Sequence, residues 1–98
     1  MAATITQHEG YARIQLVGTL TILDALETRE QLMHAFTTAK RAEIDLSDVV
    51  EVDCAGLQLL LSLARASVPV HFSGINAPLN ELLNHFNLLP ALGLKEPA

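Results

Sequence analysis

Apolar and polar residues first alternate along the chain, then recur at three- and four-residue spacing, and the sequence repeats that change twice more. Thr4-Ile5-Thr6 and Tyr11-Ala12-Arg13-Ile14-Gln15-Leu16-Val17 both alternate, with Glu9-Gly10 between them to make a tight turn. This predicts an antiparallel hairpin. After Gly18 the period lengthens, and Ala25, Leu26, Arg29, Leu32, Met33, Phe36 and Ala39 or Lys40 trace a first amphipathic helix. Glu43-Ile44-Asp45-Leu46 alternates again, and Val49, Val50 and Val52 extend it as a buried strand that ends near Asp53. From Ala55 the spacing is helical, with Leu57, Leu60, Leu61 and Ala64 on one side and a stop before Pro69. Val68, Val70 and Phe72 form a fourth strand closing at Gly74. Asn76 is suited to cap a third helix, Pro78 to its first turn, and Leu79, Leu82, Leu83 and Phe86 to its apolar stripe. Leu88 to Leu94 is apolar but interrupted by Pro90 and Gly93, so it is expected to pack as irregular chain, with Lys95 to Ala98 frayed.

The expected order is strand, strand, helix, strand, helix, strand, helix. Each later helix then serves as a right-handed crossover between parallel strands. The fold class is α/β: a four-stranded mixed sheet with an N-terminal antiparallel hairpin and three helices. Helices on one face leave strand ends and helix starts as the accessible edge. Residues 1–98 read as one domain.

Composition narrows the function. Half of the 98 residues are hydrophobic and 17% are charged, which suits a compact core. A net charge of −5 with six Lys and Arg spread along the chain offers no basic stripe, so nucleic acid is not an expected partner. Cys54 is the single cysteine, and no charged start followed by a long apolar core marks a secretory signal. A cytoplasmic location follows as the expectation. The most apolar stretch, Gly56 to Ala66, is broken by Gln58, Ser62 and Arg65 and is too short for a hydrocarbon layer of about 30 Å. No direct membrane insertion is expected. His8, His34, His71 and His85 lack ligand spacing, and no phosphate-cradling loop, nucleophile elbow or carboxylate pair stands out. The reading therefore assigns no metal, no cofactor and no catalytic residue. The pattern sets no oligomeric state.

The candidate site is the start of the second helix, Asp53-Cys54-Ala55-Gly56. Unpaired N–H groups and the positive dipole end face outward there, which suits an anion or a partner. Gly56 permits close approach, while Leu57, Leu60 and Leu61 anchor the loop. Asp53 caps the helix or meets a partner, and one carboxylate can do both. Cys54 reads as a small, partly buried residue at a helix start or as a reactive thiol. Thr19 and Thr21 read as hydroxyls that cap the first helix or as contacts.

Ile44-Asp45-Leu46-Ser47-Asp48-Val49-Val50-Glu51-Val52-Asp53-Cys54-Ala55-Gly56-Leu57-Gln58-Leu59-Leu60-Leu61 resembles the central strand-loop-helix motif of STAS domains. Leu16-Val17-Gly18-Thr19-Leu20-Thr21 and Val70-His71-Phe72-Ser73-Gly74-Ile75 extend the resemblance over almost the whole chain. In bacterial anti-sigma factor antagonists the pattern is aspartate, serine or threonine, a small residue, glycine and leucine, with the hydroxyl phosphorylated by the partner kinase. Asp53, Ala55, Gly56 and Leu57 match, and Cys54 takes the phosphoacceptor position. The antagonists' glycine, glutamate, leucine, aspartate loop is here Gly18, Thr19, Leu20, Thr21. That version resembles STAS proteins associated with bacterial chemotaxis and surface signalling. A similar small STAS protein is a subunit of the lipid-asymmetry ABC transporter, where it braces the ATPase.

The resemblance implies a non-enzymatic binding module working in signal transduction by partner switching. Its expected partner is an anti-sigma factor, a serine-kinase-like protein or a chemotaxis signalling protein, held by loop 53–57 together with Thr19, Thr21 and Gln58. One alternative partner is the ATPase of a lipid-transport ABC transporter. Another alternative is a redox sensor centred on the Cys54 thiol.

Overall fold

The computed structural model describes residues 2–66 and 68–93. In chain order it contains β1 (Ala2–His8), β2 (Tyr11–Leu20), α1 (Ile22–Phe36), β3 (Arg41–Val52), α2 (Cys54–Ala64), β4 (Val70–Ser73), α3 (Ala77–His85) and a 3-10 turn at Pro90–Leu92. The strands lie in the order β1-β2-β3-β4. The pair β1/β2 is antiparallel, and β2/β3 and β3/β4 are parallel. This is the mixed sheet with a leading hairpin that the periodicity implies.

The hairpin forms because its turn is chemically correct. Glu9 and Gly10 both have positive φ, 50° and 82°. Two such residues in a two-residue loop match the twist of the flanking strands, and His8 pairs with Tyr11 to close it. The two helical crossovers step along the sheet in one direction, so right-handed connections place α1 and α2 on the same face. Ile5, Ile14, Ile44 and Phe72 stand side by side across all four strands, and the last three are fully or almost fully buried. Leu32 of α1, Leu60 and Leu63 of α2, and Leu83 of α3 join the same core. The opposite face is polar. Arg13 spans Glu43 at 3.2 Å and Asp45 at 3.4 Å there, on neighbouring register positions.

Several local expectations need correction. The first helix begins at Ile22 and ends at Phe36, short of Ala39, and it buries Thr28, Leu32, Ala35 and Phe36. Leu26 and Arg29, expected on the apolar face, are exposed. Val49 is buried but Val50 is exposed, because successive side chains of β3 point to opposite faces of the sheet. Phe86 is exposed, since the buried stripe of α3 is Leu79 and Leu83. Val68 precedes β4 instead of starting it. The apolar tail packs as expected through Leu89 and Leu92, although Pro90–Leu92 adds a helical turn. The expectation for Lys95 to Ala98 lies outside the described residues.

Candidate functional site

The ends of β2 and β3 bring the starts of α1 and α2 together. Register shifts between Gln15 and Val17 and between Gly18 and Thr19 bend the end of β2. As a result the Leu20 carbonyl accepts from the N–H of Asp53 at 3.2 Å. Gly56 is buried against that carbonyl. A Cβ there would clash with Leu20 O and come within 2.8 Å of Val52 Cγ1. The glycine thus lets the chain's own backbone approach. Leu57 is buried as well. These two members of the expected contact set hold the loop from beneath.

Asp53 is the N-cap of α2, with Oδ1 accepting from Gly56 N–H at 3.0 Å. Its Oδ2 accepts from Ile22 N–H, the first residue of α1, at 3.0 Å. One carboxylate therefore serves two helix starts. The donation by Gly56 N–H, with that by Ile22 N–H second, holds the Asp53 carboxyl below the ordinary aspartate range. Thr21 occupies the N-cap position of α1, but its side chain makes no cap bond. Its expected capping role belongs to Asp53. Thr19 is in β2, paired with Glu51, and is only partly exposed. Two of the N–H groups expected to be free at α2 are engaged: Asp53 N–H by the Leu20 carbonyl and Gly56 N–H by the Asp53 side chain. An added phosphate would meet a resident carboxylate.

What remains on the surface is Cys54, which is an exposed thiol in the first turn and not the partly buried residue expected, with Gln58 exposed one turn later and Ala55 half-buried between them. Beside them α1 presents Ile22, Leu23 and Leu26, which are 71%, 90% and 66% exposed. Ile22 and Leu23 lie outside the contact set expected from the sequence. The signal was available in the phase of α1. Counting back in helical steps from Leu32 puts Thr28 inward and turns residues 22, 23 and 26 outward. Ile22 and Leu26 face Ala55 and Leu59 across a shallow groove between the two helices. Single exposed apolar residues are ordinary, but these three lie together on adjoining turns beside a fixed loop and form an exposed apolar patch.

A protein-family model described as Mlab, STAS domain, matches residues 3–89. The chain belongs to the STAS domain family. Among solved structures, this STAS domain is similar to the anti-sigma factor antagonist SpoIIAA in its unphosphorylated form, with TM-score 0.75 and 14% identity over 91% of this chain and 84% of that one. It is similar to an anti-sigma factor antagonist from Mycobacterium paratuberculosis, with TM-score 0.81 and 14% identity over 98% and 86% of the two chains. It is also similar to a sulfate transporter family protein from Wolinella succinogenes, with TM-score 0.71 and 22% identity over 90% and 75%. At these identities the likeness is one of fold. No curated protein sequence matches the STAS domain significantly. Among the described residues, none of its helices is long and apolar enough to cross a membrane.

Proposed function

We propose that this STAS domain is a regulatory protein-binding module that acts by docking, without chemistry of its own. Its contact face is the corner where α1 and α2 begin: Asp53, Cys54, Ala55 and Gln58, joined by Ile22, Leu23 and Leu26, with Thr19 and Thr21 at the rim. The exposure of three aliphatic side chains of α1 beside the α2 start carries the reading. Such side chains gain about 25 cal/mol for each Å² of apolar surface a partner covers. The corner is also stiff, because Asp53 and Gly56 lock both helix starts to the sheet, and a stiff surface loses little entropy on binding. The likeness in fold to anti-sigma factor antagonists supports a kinase-like signalling partner.

A second reading is favoured by Cys54. A thiol is not the normal substrate of a serine or threonine kinase, and a subunit that braces the ATPase of a lipid-transport ABC transporter needs no phosphoacceptor. The family model bearing the Mlab description supports this reading. Affinity capture with the tagged domain, followed by identification of the bound protein, separates the two: a kinase-like protein selects the first, an ATPase with membrane subunits the second. Capture that is unaffected by Gln58→Glu would count against the docking face itself.

A further inference from the structure

The groove at the docking corner does not end there. It continues along α1 and α2 past Arg29, Gln58 and Ser62, which line both its first and its second half, to Met33, Leu61 and Arg65. On α1 the lining positions are 22, 26, 29 and 33, and on α2 they are 55, 58, 62 and 65, so each helix contributes one continuous stripe. From Ile22 to Met33 the stripe rises about 16 Å, the length of a three-turn helix.

We infer that this groove seats an amphipathic helix with acidic flanks, supplied by the partner protein. The inference rests on the docking reading above and names the chemistry of what docks. Both walls are helices, whose main-chain groups are bonded internally. They offer no free edge for an added strand, which disfavours strand addition and suits an occupant that pairs its own backbone, as a helix does. The start of the groove is apolar, through Ile22, Leu26 and Leu59. Farther along it is bordered by one arginine on each wall, Arg29 and Arg65, both exposed. Neither groove arginine forms an ion pair with a described carboxylate.

These two arginines are a local exception in a chain whose net charge is −5. Two cations are too few for a nucleic acid or an anionic bilayer, which engage wide basic surfaces. A helix with leucine-like residues inward and carboxylates along its flanks matches both the apolar floor and the arginines.

The test is a titration of the isotope-labelled domain, followed by amide NMR, with a synthetic helical peptide carrying leucine at i, i+3, i+4 and i+7 and glutamate on its flanks. The same peptide with lysine flanks and phosphatidylglycerol vesicles serve as competing probes. The acidic peptide is expected to shift amides in 22–33 and 55–66, to bind at least tenfold tighter than the lysine peptide, and to lose at least tenfold in affinity in Arg29→Glu/Arg65→Glu. Equal binding of both peptides, shifts elsewhere, binding of vesicles alone, or shifts on concentrating the protein alone would each overturn the inference. Capture of the endogenous partner by Gln58→Glu reads the docking face independently. Lost capture with no peptide binding would remove the acidic-helix occupant and keep the docking face, whereas intact capture with no peptide binding would remove both.

Discussion

The carboxylate of Asp53 accepts a hydrogen bond from the backbone N–H of Ile22 across 31 residues of sequence at 3.0 Å, and so ties the start of α1 to the start of α2. With Oδ1 on Gly56 N–H, both oxygens of one side chain fix the geometry of the corner. Replacing Asp53 with alanine uncaps two helices at once. The variant is expected to have a lower Tm than wild type, while Thr21→Ala, which removes no cap bond, leaves Tm close to wild type. Thermal unfolding followed by circular dichroism checks the contrast. Equal losses from the two changes would contradict the shared cap.

Acid should weaken the same corner. Asp53 has its carboxyl held below the ordinary value of 3.8, chiefly by the Gly56 N–H and next by the Ile22 N–H. Asp45 is lowered too, chiefly by the backbone N–H of Ser47 and then by the Ser47 hydroxyl, with Arg13 adding a smaller pull. A carboxyl whose folded pKa is depressed contributes stability that is fully present above its unfolded pKa. That contribution is lost as pH falls through the folded value. The part of acid destabilisation due to these two groups therefore sets in below about pH 4. Urea unfolding at several pH values should show a shallower acid slope in Asp53→Asn than in wild type.

Gly56 tests the packing of the corner, not its contacts. A methyl group there would clash with the Leu20 carbonyl. Gly56→Ala is expected to destabilise the domain by about 1–3 kcal/mol, the usual range for overpacking, and larger residues to do more. Reduced capture by a Gly56 variant would thus report distortion, so denaturant unfolding must accompany it. An unchanged midpoint would contradict the close approach of α2 to β2.

Cys54 is exposed, so its thiol should be alkylated in the native state without unfolding. A bulky adduct at this position sits on the docking face and is expected to reduce partner capture at least tenfold, while Cys54→Ser leaves capture unchanged. Mass spectrometry of the labelled protein, paired with capture, checks both. Loss of capture in Cys54→Ser with an intact fold would favour a thiol-dependent role instead.

Much of the fold was legible because local chemistry and period agreed. Glu9-Gly10 suited a two-residue turn, Asn76 capped α3 as expected, accepting from Leu79 N–H at 2.9 Å, and Asp53 ended β3. The face of α1 was not legible. Its buried side includes Thr28 and Ala35, a hydroxyl and a small residue, whereas larger aliphatic residues at 22, 23 and 26 point outward. A pattern that equates bulk with burial is misled wherever large apolar side chains stay exposed, as these three do. The shared cap was hidden for a different reason. Asp53 was readable as a cap of the helix that follows it, but its bond to Ile22 depends on where the sheet places the end of β2. Gly56 was identified as a point of close approach, and only the position of the Leu20 carbonyl shows that the approaching group belongs to the chain itself.

The docking corner is tested most directly by the triple variant Ile22→Ser/Leu23→Ser/Leu26→Ser, assayed for partner capture and for stability together. Each side chain is at least 66% exposed, so each change should move stability by no more than about 0.5 kcal/mol. The account predicts a folded variant whose capture of the partner falls at least tenfold. A folded variant that captures the partner as well as wild type does would contradict it.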